Sequence, residues 1–116
     1  MIIFKVCVCG KFINSSLLLC TMYAHNIFIK VKNTAKESQL EALCSNAVIL
    51  ESIPGVMSVD VRKNFDPNGF HHWICVVLNQ AESLEPYLKH PLHTRFSNEF
   101  LQPVMEETKV FDYELP

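Results

Sequence analysis

Hydrophobic and polar positions alternate with period two from His25 to Lys32, which places His25, Ile27, Ile29 and Val31 on one face of a strand. The period then changes. Leu40, Leu43, Ala47 and Leu50 recur at helical spacing and predict a helix from about Ala35 to Glu51. Thr34 and Glu37 are spaced as a capping box at its start, and Pro54-Gly55 ends it. Alternation returns over Val56–Arg62, with Met57, Val59 and Val61 expected on one face. The turn-forming run Asp66-Pro67-Asn68-Gly69 joins this strand to the next as a long-looped hairpin.

The third strand, His71–Leu78, is apolar on both faces, as a strand shielded from water on both sides would be. Ser83 is placed to cap a short helix carrying Leu84, Tyr87 and Leu88. Pro91 suits the first position of a further helix with Leu92, Phe96, Phe100 and Leu101. Lys109–Glu114 closes the chain as a strand. The order is β-α-β-β-α-β with the second helical region broken in two, a ferredoxin-like α+β arrangement. Two helical layers cover one face of such a sheet and leave the other bare, carrying Trp73, Cys75 and Val77 with Phe28. Soluble monomers rarely expose a patch of that kind. A second copy, packed face to face with twofold symmetry, would bury it.

Composition agrees with a surface made for pairing. Of the 116 residues 49% are hydrophobic and only 19% charged, a shift toward apolar surface. A net charge of −2, with no basic stripe, argues against nucleic acid and against anionic membranes as partners. Five cysteines in no regular framework argue against a disulfide scaffold and for a reducing, cytoplasmic setting. Cys44 and Cys75 fall on apolar periodicities, where a free thiol packs as a small hydrophobe.

Residues 1–21 stand apart from the patterned domain at 22–116. Their apolar runs are too short to span a membrane and lack the form of a secretory signal. The segment reads as an upstream over-assignment of the start, with Met22 as the alternative, or as a loosely held β-prone arm. Cys7-Val8-Cys9 has no second pair to complete a zinc site.

No cofactor is expected. Two of the three glycines belong to turns, which leaves no phosphate-cradling loop. The adjacent His71 and His72 point to opposite faces, and no carboxylate spacing completes a metal site around His90 and His93. Strand parity places His25 and His72 on the helix-facing side, where Tyr87 and His93, on either side of the Pro91 break, could reach them. An imidazole there is suited to proton transfer near neutral pH. Histidines at element ends more usually have structural partners, which would make His93 a cap or hydrogen-bonding group within the broken helix and Tyr87 a core aromatic with a satisfied hydroxyl.

The stretch Ile53-Pro-Gly-Val56, the strand around His72, the segment Tyr87-Leu-Lys-His90-Pro91-Leu-His93, and Phe111-Asp-Tyr113 together resemble the stress-responsive A/B barrel family. Ala24–Lys32 is similar to its first strand. The resemblance covers about Met22 to Leu115 and implies a homodimeric α+β barrel. Most of that family has no assigned reaction, some plant members are stress-linked, and one branch consists of polyketide cyclases. The cyclase branch resembles this chain at His25, His72, Tyr87 and His93. In it a histidine of the second helical region and a nearby tyrosine deprotonate and position a polyketide for an aldol-type closure.

Two functions follow as expectations. One is a dimer that holds a small apolar or aromatic molecule in a pocket lined by His25, His72, Tyr87 and His93. The alternative is an acid–base enzyme of the cyclase or isomerase type, with His93 as base and Tyr87 as its positioning partner. A cofactor-free monooxygenase rests on fold analogy alone. An open cavity of ~300 Å³ or more touching Tyr87 and His93 would favour binding or catalysis over a structural role.

Overall fold

A computed structural model of the chain describes residues 21–116; the sequence reading of residues 1–20 lies outside them. Four strands, β1 (Met22–Val31), β2 (Val56–Lys63), β3 (His72–Leu78) and β4 (Met105–Leu115), form one antiparallel sheet in the order β2-β3-β1-β4. Helices α1 (Glu37–Asn46), α2 (Leu84–Lys89) and α3 (Pro91–Phe96) accompany it. This is the ferredoxin-like α+β arrangement. Among the described residues no helix is long and apolar enough to cross a membrane.

The core lies between the helices and one sheet face. Ile29, Ile74, Val76 and Leu78 from the strands meet Leu43, Ala47, Leu50, Tyr87, Phe96 and Val104, all of them buried. Trp73, Cys75 and Val77 stand half-buried on the opposite face with Phe28, which stacks on Trp73 at 5.6 Å between ring centroids. The same face exposes Phe111 and Tyr113 of β4.

The structure corrects several local expectations. The predicted helix over 35–51 begins at Glu37 and is α-helical only to Asn46. The Thr34–Glu37 box does not form; Gln39 Oε1 accepts the Lys36 N–H instead, at 2.8 Å. Past Asn46 the chain tightens into a 3₁₀ segment, Ala47–Ser52. Asn46 Nδ2 donates to the Ala42 carbonyl there, and the three-residue spacing of buried Ala47, Leu50 and Ile53 suits the 3₁₀ repeat.

Met57 does not share a face with Val59 and Val61. The β2–β3 register shifts between Val56 and Ser58, and the bulge turns Met57 outward to 60% exposure. Ser83 does not cap α2, because its hydroxyl donates to Asn79 Oδ1 and a short 3₁₀ turn, Ala81–Ser83, leads into the helix. Cys44 is exposed on α1 rather than packed.

Two features anticipated from sequence are present, and the second positions the site. In the β2–β3 loop, Gly69 takes φ +96 and Asp66 Oδ2 accepts the Phe70 N–H, so the loop turns sharply. In the second helical region, His90 before Pro91 is extended, as a pre-proline residue prefers. His90 Nδ1 accepts the Leu92 N–H at 3.1 Å and caps α3. Two short helices therefore meet at an angle over the sheet.

Candidate functional site

Between the sheet and the broken helical region lies a cavity of about 450 Å³. Its walls include His25 and Ile27 of β1, Ile74 of β3, Tyr87 of α2, His93 of α3 and Asp112 of β4. His25 reaches it because its parity on β1 matches that of Ile27 and Ile29. Tyr87 and His93 reach it from either side of the Pro91 break. The Tyr87 ring makes T-shaped contacts with both imidazoles, 4.9 Å from His93 and 6.0 Å from His25 between centroids. The volume lies within the range of small-molecule sites.

His25 is 4% exposed. Its Nδ1 lies 3.0 Å from Asp112 Oδ1 and 3.1 Å from Oδ2. Asp112 also accepts the Tyr23 hydroxyl at 3.0 Å and the Asn26 backbone N–H at 3.2 Å. Donors thus converge on its carboxylate, and the imidazole proton belongs on Nδ1. His25 Nε2 is then an acceptor, and it is buried with no hydrogen-bond partner among the described residues.

Burial lowers the His93 pKa below the usual histidine value; the neighbouring His25 adds to the shift, and a hydrogen bond to the Leu88 backbone opposes it. His93 is therefore a neutral imidazole at pH 7. Burial raises the Tyr87 pKa well above the ordinary phenol value, so its hydroxyl keeps its proton and can donate. An apolar cavity with a neutral imidazole, a proton-bearing phenol and an imidazole–carboxylate pair is equipped to bind a small molecule and to move a proton.

His72 does not join this cavity. It lines a separate opening with Glu37, Leu40, Cys44 and Lys63. Parity is as expected, but β3 runs antiparallel to β1 and pairs His72 with Ile29, while His25 faces Val76. The two histidines share a face and stand four residues apart along it, roughly 13 Å at the usual strand rise. Burial, then Lys63 and His71, lower the His72 pKa.

Asp112 was not singled out from the sequence. Its signal was available: it alternates with Thr108 and Val110 on the cavity side of β4. A further depression of about 470 Å³ lies on the bare face between Asn26, Phe28, Trp73, Lys109 and Phe111. Among the described residues no three His, Cys, Asp or Glu side chains gather as metal ligands.

Over 94 residues the chain is 28% identical to olivetolic acid cyclase of Cannabis sativa, covering 77% of this chain and 92% of that protein. Its fold is similar to a Dabb-family protein of ferredoxin-like fold from Mesorhizobium loti, with TM-score 0.70 and 21% identity over 83% of this chain and 97% of that one. It is also similar to a dimeric ferredoxin-like protein of unknown function from Thermobifida fusca, with TM-score 0.72 and 14% identity over 82% and 92%. The model of the stress responsive A/B barrel domain matches residues 24–115, nearly the whole patterned region, and the chain belongs to that family.

Proposed function

We propose that the protein is a homodimer whose subunits each hold a small apolar or aromatic molecule in the cavity lined by His25, Tyr87 and His93. The observation that supports binding is the 450 Å³ space itself, mostly apolar and rimmed by a few polar groups. Dimerisation is supported by the aromatic bare face of Phe28, Trp73, Phe111 and Tyr113 and by the dimeric relative of like fold. Free Cys44 and Cys75 suit a reducing cytoplasm.

A thermal-shift screen of aromatic and polyketide-like molecules tests the binding reading. At least one should raise the melting temperature of the wild type. The same molecule should bind His93→Ala more weakly by about 1–3 kcal/mol, the cost of leaving a buried polar partner unsatisfied. A screen in which no compound shifts the wild type would remove the reading.

A second reading is favoured by the lowered His93 pKa beside a protonated Tyr87 and by the identity to a cyclase. Here the protein is an acid–base enzyme of the cyclase or isomerase type. His93 removes a proton from an activated methylene, and the Tyr87 hydroxyl donates to the adjacent carbonyl as negative charge develops there. Its rate would rise with pH through a pKa below 6.5.

A further inference from the structure

We infer that the cavity selects a ligand whose head group donates a hydrogen bond, a neutral phenol or enol on an apolar body, and that His25 Nε2 is the acceptor it engages. The inference rests on the small-molecule reading and adds the chemistry of the head group.

A buried polar atom without a partner costs stability unless something satisfies it. Among the described residues Nε2 has no partner, and its ring lines the cavity. Asp112 determines what kind of partner it needs. The carboxylate accepts from Tyr23, from the Asn26 N–H and from His25 Nδ1, which holds the imidazole in the tautomer with a lone pair on Nε2. A proton at Nε2 would be a buried donor with no acceptor among the described residues.

A carboxylate ligand would set acceptor against acceptor, close to the Asp112 charge. An ether or hydrocarbon would leave Nε2 unsatisfied. A hydroxyl satisfies it, and Ile27, Ile74 and Phe96 receive the apolar body. Discrimination of this kind is large where a site is built to accept a ligand's O–H, because the analogue that lacks it strands the site's own polar atom.

The test is calorimetric titration at pH 8 with 4-propylphenol, its methyl ether and 4-propylbenzoate. On the wild type the phenol should bind at least tenfold more tightly than either analogue. In His25→Phe the phenol should lose its advantage over the ether. In Asp112→Asn, whose amide can donate to Nδ1 and move the proton to Nε2, the advantage of the phenol should be lost. Equal binding of phenol and ether to the wild type would overturn the inference and leave small-molecule binding intact, as would a preference for the benzoate. Absence of binding by all three at millimolar concentration would overturn the inference together with the reading beneath it. The wild-type comparison requires no variant to fold.

Discussion

His25 on β1 and Asp112 on β4 stand directly opposite each other in the sheet, with Nδ1 of the imidazole 3.0 Å from a carboxylate oxygen. The pair joins residues 87 positions apart, and the carboxylate serves the Tyr23 hydroxyl and the Asn26 N–H as well. Removing its charge should therefore be felt by the fold. Asp112→Asn keeps the shape but replaces one accepting oxygen with a donor, leaving at least one partner unsatisfied. The expected loss is about 1–3 kcal/mol, read from urea unfolding. Asp112→Ala should lose at least as much.

That pair also marks where legibility in the sequence ends. Alternation showed which face His25 and His72 occupy, because parity is a local property. It could not show that His72 pairs with Ile29 and so opens onto a different surface, since register depends on how distant strands meet. Asp112 was in phase with Val110 on the predicted closing strand, but that it meets His25 is again a matter of register. The first half of β4, Met105-Glu-Glu-Thr108, is polar and edge-like and carries little strand signal, yet it pairs with β1. Met57 was misplaced by a bulge that alternation cannot announce. The broken second helical region was readable from His90-Pro91, where a proline forces the preceding residue out of the helix. Tyr87 and His93 were therefore the most accessible part of the site.

Self-association should depend on Trp73. The indole stacks on Phe28 and donates from Nε1 to Asn26 Oδ1 at 2.9 Å, and the cluster continues through Phe28 to Phe111. Trp73→Asp would place a charge on that apolar face in both copies of a twofold pair. Sedimentation at micromolar concentration should find the wild type dimeric and the variant monomeric, with folding of each checked by circular dichroism. A variant that dimerises like the wild type would show that this face is not the pairing surface.

Stability should fall in mild acid. The pKa values of His72 and His93 are both lowered in the folded protein, chiefly by burial. Between the lowered folded values and the ordinary 6.5 of the unfolded chain, the unfolded state binds more protons, so unfolding free energy rises with pH. The contribution is complete above about 6.5 and is lost as pH falls toward the folded values. Melting temperature measured from pH 8 to pH 5 should therefore decline below about 6.5. His93→Phe, which has no proton to bind, should flatten part of that decline.

Tyr87 allows packing and chemistry to be separated. It is 1% exposed, among the largest fully buried side chains, and its ring packs in T-shaped contact with both His25 and His93. Tyr87→Ala removes the ring and should cost about 3–5 kcal/mol, as other buried aromatic truncations do. Tyr87→Phe keeps the ring and deletes only the hydroxyl, so its unfolding free energy should stay within about 1.5 kcal/mol of the wild type. If the hydroxyl donates to a ligand or to a developing oxyanion, Tyr87→Phe should still lose binding or rate by tenfold or more, equivalent to about 1.4 kcal/mol. Loss of function with stability kept would assign the hydroxyl to the site, whereas binding and rate that follow stability alone would make Tyr87 a core aromatic and nothing more.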